Sequence, residues 1–440
     1  MNFLKVNCLA IFMGLFLFTA CNENDDGVPP IEPVSYQVQL GFKASLSEIV
    51  PMGIEVRLRN LNSDLEYTGT TDETGLAEFA AIVPGSYEVK ANLQLTQSEF
   101  KELFGFTTQN ELTNFNAVHT GVVINHNQAA KIELTLESAR IGGLVFKQIY
   151  YVGSDRNKAA MFRDMFFEIY NNSDEEIYLD GICFAQLFGS TSTKGDSKQF
   201  DWSQSIGQTK GDRSNTGYVY ADHVYKIPGS GTDYPLAPGA SVVIAGTGIN
   251  HKAPLVVDGK EYKVEDPSLT VDLSDAAFEI NLRQYRIDRG MKPYSTDIDN
   301  PDVPNMDIVY NLSNKDLILD VMGRDSFILF RLTEDASNWD RLPNPEETVV
   351  DEDTKRYLQI PVEIIVDGVE INRPVKPFPR RLPQAIDGGY TYAPKGIFSS
   401  QSLIRRVATT LDGRKILQDT NNSSEDFITI DLPLPGGWVE

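Results

Sequence analysis

The sequence contains few of the residues that build disulfide, metal or nucleotide sites. It has three cysteines, Cys8, Cys21 and Cys183, and the first two lie in or beside an apolar N-terminal segment, so Cys183 has no disulfide partner. No His-Glu-x-x-His, Cys-x-x-Cys or Gly-rich phosphate loop occurs. A G-x-S-x-G elbow is also missing. The sequence therefore lacks the strong signatures of zinc sites, nucleotide binding and serine hydrolases.

Positive charge is also scarce. The chain carries 39 Lys and Arg against 62 Asp and Glu, which gives a formal net charge of −23. Such a field opposes binding to nucleic acid and to anionic membrane surfaces. With 41% hydrophobic and 23% charged residues, the 440-residue chain has the composition of globular domains rather than of disordered segments.

One apolar run stands at the N-terminus, where Cys8 to Ala20 is apolar for thirteen residues. This length fits a signal-peptide core and is too short for a membrane span. Leu17 to Cys21 (LFTAC) resembles a bacterial lipobox, which implies that residues 1–20 are a lipoprotein signal peptide and that Cys21 is acylated. The alternative is an ordinary secretory signal with an incidental cysteine.

The segment 21–33 is predicted to be an acidic and proline-rich tether. Its Asn-Glu-Asn-Asp-Asp-Gly cluster after Cys21 resembles the surface-export signal of Bacteroidetes lipoproteins, which implies a lipid anchor in the outer membrane with the domains exposed at the cell surface. A solvated start to the tether is the simpler alternative.

Residues 34–138 read as short alternating strands with turn residues between them. The stretch 70–89 (TTDETGLAEFAAIVPGSYEV) resembles the carboxypeptidase-regulatory-like repeat, which has a transthyretin-like or prealbumin-like fold. The segment SEFKELFGF, between the last two strands, is predicted to form a short inserted helix.

Residues 139–440 are predicted to form a second β module. Phe166 to Ile182 (FFEIYNNSDEEIYLDGI) alternates, turns at Asn-Asn-Ser-Asp and resumes, which predicts a β-hairpin. Together with residues 234–244 and 402–427, it resembles the lamin-tail-like domain, an immunoglobulin-like sandwich. The matched elements are far apart, so long insertions are expected at about 188–227 and 249–396. A second hairpin is predicted to turn at Asp367-Gly368.

The predicted fold class is thus all-β, with two immunoglobulin-like or prealbumin-like sandwich modules, the second enlarged by insertions. Near its end, a guanidinium of Arg405 or Arg406 is expected to bind Asp419 or Asp426, because Arg can form two parallel hydrogen bonds to a carboxylate. We interpret this as a structural latch, so substitution of Asp426 should unfold the module.

The first predicted insertion is rich in aromatic residues among small polar ones. Flat rings in such surroundings suit recognition of a protein partner or a glycan. Packing of the rings onto the sandwich is the alternative, and under the binding hypothesis a Trp202 substitution should spare folding. The residues are Phe200, Trp202, Tyr218, Tyr220 and Tyr225.

Carboxylates form one dense cluster, at Asp297, Asp299 and Asp302. Calcium prefers such oxygen ligands, although the cluster lacks the glycine of an EF-hand turn and a solvated acidic loop is the alternative. No other cofactor is indicated.

The function expected from these features is that of a non-enzymatic surface lipoprotein that binds another protein or a nutrient. The resemblance to Bacteroidetes lipoproteins implies an accessory role beside a TonB-dependent transporter barrel or another surface lipoprotein. A hydrolase acting on glycans or peptides through two carboxylates is one alternative. An adhesion or envelope scaffold protein is another.

Overall fold

Strands dominate the computed structural model, which describes residues 32–42, 49–63, 65–104, 112–127, 130–138, 143–189, 199–257, 259–312, 319–332, 334–375, 377–411 and 413–439. The predicted signal peptide and Cys21 lie outside these residues. No described helix is both long and apolar enough to cross a membrane.

The N-terminal part of the described chain forms one seven-stranded sheet in the order β3-β2-β5-β6-β7-β1-β4. Its elements are β1 (Val34–Phe42), β2 (Glu55–Asn60), β3 (Glu66–Thr70), β4 (Leu76–Ile82), β5 (Gly85–Thr96), α1 (Gln97–Phe104), β6 (Leu112–Ile124) and β7 (Lys131–Ser138). Only β1 and β7 pair in parallel among these neighbours.

Alternation of apolar and polar residues gives this sheet one buried face. In β1, every second residue from Val34 to Phe42 is buried. The sheet curls around that face until its end strands meet, and a Cβ at Gly69 of β3 would lie 3.0 Å from the Phe79 ring of β4. The core is therefore enclosed by a single curved sheet.

Helix α1 covers one end of that core, as the sequence predicted. Its start is a capping box, in which Glu99 accepts from the Thr96 backbone N–H at 2.8 Å and the Thr96 hydroxyl accepts from Glu99 N at 3.3 Å. Phe100 and Phe104 are buried, and Phe104 packs on Phe115 of β6 with 5.4 Å between ring centroids. The helix is thus held by one apolar side.

The second part of the chain is a sandwich of two sheets. One has the order β17-β14-β9-β8-β23-β26, and the other has the order β20-β21-β12-β11-β19-β22 with β18 paired to β12. Three further ribbons are formed by β10 with β13, β15 with β16, and β24 with β25.

The elements of this part, in chain order, have the following bounds. They are β8 (Leu144–Tyr150), β9 (Phe166–Asn171), β10 (Ile177–Tyr178), β11 (Ile182–Leu187), β12 (Tyr218–Lys226), β13 (Pro235–Leu236), β14 (Ser241–Ala245), β15 (Leu255–Val257), β16 (Lys260–Tyr262), β17 (Phe278–Glu279), α2 (Arg283–Asp288), β18 (Asp307–Asn311), β19 (Ser326–Arg331), β20 (Arg341–Pro343), β21 (Arg356–Pro361), β22 (Ile365–Val369), β23 (Ser402–Arg405), β24 (Val407–Leu411), β25 (Arg414–Leu417), α3 (Ser423–Asp426) and β26 (Phe427–Ile430).

Stacked aromatic rings fill the space between the two sheets. Phe167 of β9 and Phe184 of β11 stack with centroids 4.1 Å apart, and Phe146 of β8 meets both rings edge-on. All three side chains are buried, so their apolar area contributes most directly to closing the sandwich.

The predicted hairpin from Phe166 to Ile182 is wrong. β9 pairs with β8 and β14, whereas β10 pairs with β13 and Ile182 begins β11 in the opposite sheet. Every residue of β9 is buried, which is the pattern of a central strand with neighbours on both sides. The Asn-Asn-Ser-Asp turn therefore carries the chain from one sheet to the other.

The segments predicted as insertions are integral to the sandwich. They contain β12 and β18 to β22, which are six of the seven strands of the second sheet of the sandwich, the sheet that also contains β11. The turn predicted at Asp367-Gly368 is also wrong, because β22 runs straight through both residues. Strong pairing with β19 and the inward contacts of Asp367 override the local turn preference of Asp-Gly.

Candidate functional site

The predicted latch is built around Arg405, which is 3% exposed and ends β23. Its Nη1 lies 3.2 Å from Asp419 Oδ1 and 3.3 Å from Asp426 Oδ2. Arg406 is exposed and forms no ion pair within the described chain, although its backbone N–H donates to the Asp426 carbonyl at 2.7 Å. The structure thus assigns the guanidinium to Arg405 alone.

A third carboxylate, Asp367 of β22, completes the cluster. Arg405 Nη2 lies 2.7 Å from Asp367 Oδ2, which also accepts from the Phe146 backbone N–H at 2.7 Å. Arg405 Nε in turn donates to the Phe146 carbonyl at 2.8 Å. The two side chains satisfy backbone groups at a bulge in β8, and they tie the two sheets together.

Three buried carboxylates surround this one guanidinium, so their charges are not balanced. Burial raises the pKa of Asp419 and of Asp426, although Arg405 opposes the rise in both. Asp426 also accepts from the Thr420 hydroxyl at 2.7 Å and from the Thr420 backbone N–H at 3.0 Å. The cluster is fully engaged in holding the fold, which fits a structural role.

Four of the five predicted aromatic residues belong to one aromatic cluster that is separate from the core between the two sheets, and the fifth is Tyr225. Trp202 stacks on Tyr220 with centroids 3.6 Å apart, and both rings are less than 10% exposed. Phe188 stacks on Tyr357 at 3.9 Å and on Phe200 at 5.5 Å. These rings form the aromatic wall, which we define as Phe188, Phe200, Trp202, Tyr218 and Tyr220.

Local sequence explains how Trp202 is held. Asp201 accepts from Ser203 N at 3.1 Å and so starts a short 3-10 turn over Trp202–Gln204. Trp202 N donates to Asn215 Oδ1 at 2.8 Å. Trp202 therefore supports the aromatic wall from within. The solvent-accessible area of the wall belongs mainly to Phe200 and Tyr218, which are both half-buried.

Tyr225 does not belong to this wall. It is fully buried between the two sheets, and its hydroxyl accepts from Asn311 Nδ2 at 2.9 Å. A bulge at Asp222 interrupts the alternation of β12, so that Tyr225 packs in the core between the sheets, whereas Tyr220 packs beyond that core with Phe188, Trp202 and Tyr357. Partner binding through Tyr225, as the sequence suggested, is excluded by its burial.

A groove of about 710 Å³ separates the aromatic wall from the segment 379–385 (PRRLPQA). The two sides are joined by Gln199 Nε2, which donates to the Arg380 carbonyl at 2.8 Å. The Arg380 guanidinium donates to the carbonyls of Asp387, Gly388 and Gly389, and so points away from the rings. The groove is concave and largely apolar, with a few polar groups on its rim.

Cations approach the rim beside Tyr218. Lys210 Nζ lies 5.7 Å and Arg213 Cζ 5.8 Å from the centroid of its ring. Both distances fall within the range of cation–π attraction. Lys210 Nζ also lies 3.5 Å from Asp340 Oδ2, so part of the positive charge beside Tyr218 is compensated.

The carboxylates predicted to bind calcium do not converge. Asp297 is buried and accepts from Leu282 N at 3.1 Å and from Asn281 Nδ2 at 3.0 Å. Asp299 accepts from Asn305 Nδ2 at 2.7 Å, and Asp302 is exposed. Within the described residues, no group of three or more His, Cys, Asp or Glu side chains is arranged to hold a metal ion.

Several buried carboxyls outside the groove have raised pKa values. Burial raises the pKa of Glu279 to about 7, and hydrogen bonds from Asn300 N and Gly248 N oppose it. It also raises the pKa of Asp164 to about 6 and that of Asp387 to about 6. None of the three lines the groove. They serve the fold as hydrogen-bond acceptors.

Sequence reasoning missed two parts of the site. The Asp-Gly pair predicts a turn at Asp367, although the apolar residues flanking it (VEIIVDGVEI) fit a buried strand as well. The segment 379–385 lies inside a predicted insertion, and the sequence predictions assign it no role. Its two prolines, Pro379 and Pro383, restrict the backbone and were the available signal for a fixed wall.

Residues 237–433 match a family described as a protein of unknown function, DUF4876. The DUF4876 match contains Asp367, the segment 379–385 and the whole latch, whereas the aromatic wall precedes it. No curated protein matches the chain.

Two solved structures are similar to the chain. A DUF4876 family protein from Bacteroides thetaiotaomicron VPI-5482 is 25% identical, with a TM-score of 0.51 over 90% of this chain and 95% of that one. A candidate adhesin from Bacteroides ovatus ATCC 8483 is 12% identical, with a TM-score of 0.18 over 40% of this chain and 60% of that one. The DUF4876 likeness spans both parts of the fold.

Proposed function

We propose that this chain is a non-enzymatic, lipid-anchored binding protein of the outer-membrane surface, and that its partner occupies the groove beside the aromatic wall. One observation carries the proposal: a 710 Å³ groove is bounded by five aromatic side chains on one side and by a braced, proline-containing segment on the other. Rigid aromatic residues in a concave site are typical of recognition surfaces.

The aromatic wall contains both buried and half-buried rings, and this difference supports a role in binding. Trp202, Tyr220 and Phe188 are buried and packed together, so they hold the wall rigid. Phe200 and Tyr218 are half-buried and offer area to a partner. Because these two rings are already fixed by their neighbours, little side-chain entropy would be lost on binding.

The carboxylates of the groove argue against the hydrolase alternative. Asp201 is the single carboxylate among the described residues that line it. Its Oδ1 already accepts from the Ser203 hydroxyl at 2.6 Å and from Asn215 Nδ2 at 2.7 Å. Two-carboxylate acid and base catalysis needs a facing pair, so the groove fits binding better than hydrolysis.

The anchor and the partner class rest on the sequence. The lipobox-like LFTAC supports acylation of Cys21, and the acidic residues after it support display on the outer face of the outer membrane. We further propose that residues 34–138 are a carboxypeptidase-regulatory-like module and residues 139–440 a lamin-tail-like one. A TonB-dependent transporter barrel or another surface lipoprotein is the partner that this resemblance implies.

A pull-down of the native lipoprotein from solubilised outer membrane tests the partner. We expect a barrel or lipoprotein to be recovered with the wild type and with Tyr178→Ala, which removes an exposed ring outside the groove. Recovery should fall with Phe200→Ala. Equal recovery with both variants would show that the groove is not the binding site, and recovery of the chain alone would count against a membrane partner.

Metabolic labelling with an alkyne-bearing fatty acid tests the anchor. The wild type should be labelled and should sediment with the outer membrane, while Cys21→Ala should be unlabelled. Proteinase K added to intact cells should digest the anchored chain if it faces outward. Protection of the chain in intact cells, with digestion only after lysis, would place it on the periplasmic face instead.

A further inference from the structure

A second cleft, of about 660 Å³, lies where the first sheet meets the sandwich. The first part of the chain contributes residues 59–63, at the end of β2, and Glu88 of β5. The second part contributes Tyr390, Tyr392 and their neighbours. We call it the junction cleft. Clefts between two folded units are frequent ligand sites.

The junction is held by direct contacts on both sides of this cleft. Lys90 of β5 forms an ion pair with Glu425 of α3. Gly388 packs so closely on Val118 of β6 that a Cβ there would lie 2.7 Å from Val118 Cγ2. The two parts are therefore in firm contact, and the junction cleft is formed by their present arrangement.

The second wall of the junction cleft is fixed from behind by Asp387. Its Oδ1 accepts from Ser423 N at 2.8 Å and from Gly389 N at 3.0 Å. The Thr391 backbone N–H donates to the Glu370 carbonyl at 2.9 Å. The loop that carries Tyr390 and Tyr392 is thus held in place by hydrogen bonds within the protein, which lowers the cost of binding a ligand.

The charges of the junction cleft compensate each other. Its described lining contains two charged side chains, Arg59 and Glu88, and Arg59 Nη2 lies 3.5 Å from Glu88 Oε1. A strongly anionic or cationic ligand would find no uncompensated charge of opposite sign. The net charge of −23 further opposes anions.

The remaining lining is aromatic and hydroxyl-rich. The rings of Tyr390 and Tyr392 are half-buried, with centroids 6.2 Å apart and planes at 35°. Asn62, Ser63 and Ser424 add amide and hydroxyl groups that both donate and accept. This lining is too polar for a lipid and too evenly balanced between donors and acceptors for a simple ion.

We propose that the junction cleft binds a neutral saccharide and that the bound sugar contacts both parts of the chain. Sugar hydroxyls donate and accept hydrogen bonds, as the lining does, and the C–H faces of sugar rings pack on aromatic rings such as Tyr390 and Tyr392. Neutrality matches the paired Arg59 and Glu88. The site is separate from the groove proposed above for the partner.

Titration of the purified, detergent-solubilised lipoprotein tests this assignment. The probes are maltohexaose, cellohexaose, xylohexaose and mannohexaose, with tetragalacturonate as the anionic comparison, followed by saturation-transfer NMR and calorimetry. At least one neutral probe should bind. Tyr390→Ala should weaken that binding by about tenfold or more. Phe200→Ala, in the groove, should leave it unchanged.

Because Tyr390 lies at the junction, its substitution can disturb the contact between the two parts. Asn62→Trp avoids this difficulty, since Asn62 is exposed on a turn and a large ring there would fill the cleft. It should abolish binding with an unchanged melting temperature. Failure of all four neutral probes to bind, or preference for tetragalacturonate, would overturn the proposal. So would binding that persists in Asn62→Trp, or binding lost only in Phe200→Ala.

Discussion

Arg405 Nη2 lies 2.7 Å from Asp367 Oδ2, and this ion pair connects β23 of one sheet of the sandwich to β22, an edge strand of the other sheet. Both side chains are buried. Removal of Asp367 leaves the buried Arg405 Nη2 and Phe146 N–H groups without this acceptor, which is more costly than loss of a surface ion pair.

We expect Asp367→Ala to destabilise the sandwich by about 2–4 kcal/mol, because Arg405 Nη2 and the Phe146 N–H both lose their acceptor, although Asp419 and Asp426 still compensate the guanidinium. Asp367→Asn retains an acceptor oxygen and should cost less. Chemical denaturation followed by tryptophan fluorescence measures both. Equal stability of Asp367→Ala and wild type would show that the pair is not needed to join the sheets.

Asp426→Ala should unfold the second module or lower its melting temperature strongly. Besides Arg405, the variant would deprive the Thr420 N–H and hydroxyl of their acceptor. Asp426→Asn is the matched control, since burial already favours the uncharged acid. Normal thermal stability of Asp426→Ala, measured by calorimetry, would contradict the latch.

Stability should rise as the pH is lowered from about 8 to about 5. Burial raises the pKa values of Asp164, Asp387 and Glu279, so these three carboxyls bind more protons in the folded state than in the unfolded state in this interval. They outnumber buried His251, whose pKa is lowered to about 4 and which acts in the opposite direction. The stabilisation is therefore complete below about pH 4 and is lost as the pH passes 6 to 7. The melting temperature should fall by at least about 3 °C on going from pH 5 to pH 8.

Asp164→Asn separates this effect from the general repulsion of an acidic chain. Asp164 Oδ2 accepts from Tyr150 and Thr270, while Oδ1 has no hydrogen-bond partner among the described residues, so an amide fits the same site. The variant should show a shallower pH dependence than the wild type. Parallel curves for the two proteins would assign the effect to net charge.

Trp202→Ala should lower the stability of the second module by about 3–5 kcal/mol, because the indole is nearly buried and stacks on Tyr220. This outcome differs from the expectation drawn from the sequence, that Trp202 could be replaced without loss of folding. Phe200→Ala should cost much less. Chemical denaturation of both variants measures the two losses of stability. Only a variant that remains folded can be used to test binding.

Cys183 should be unreactive in the folded protein. It is fully buried, and burial raises the pKa of its thiol to about 12. Ellman's reagent should not label it in the native lipoprotein, in which Cys21 is acylated on our proposal, and should label one thiol after unfolding. Rapid native labelling would indicate either local opening of β11 or a free Cys21.

The all-β class could be predicted because apolar residues alternate along strands such as β1 and because turn residues separate them. Pairing could not. Phe166 to Ile182 looks like a hairpin over a short window, but the choice of partners for β9 depends on β8 and β14, which lie outside that window. Asp367-Gly368 failed for the same reason, since its inward contacts come from residues distant in the chain.

The candidate site was recovered in part. Arg405, Asp419 and Asp426 come together as the residue types suggested, because a buried guanidinium requires carboxylates. The aromatic residues were found by composition, yet only the structure separates the buried Trp202 and Tyr225 from the half-buried Phe200 and Tyr218. Burial depends on tertiary contacts, which composition does not encode.

The pairing of β8 with β23 has a kinetic consequence. Ser402 Oγ donates to the Ile149 carbonyl across 253 positions of the sequence, so β8 remains an open edge until β23 has emerged. All seven residues of β8 are buried in the finished sheet. During synthesis and export that apolar edge is exposed, which favours slow folding and aggregation of truncated chains. The N-terminal seven-stranded sheet contains no strand beyond β7, so it can form before the sandwich is complete.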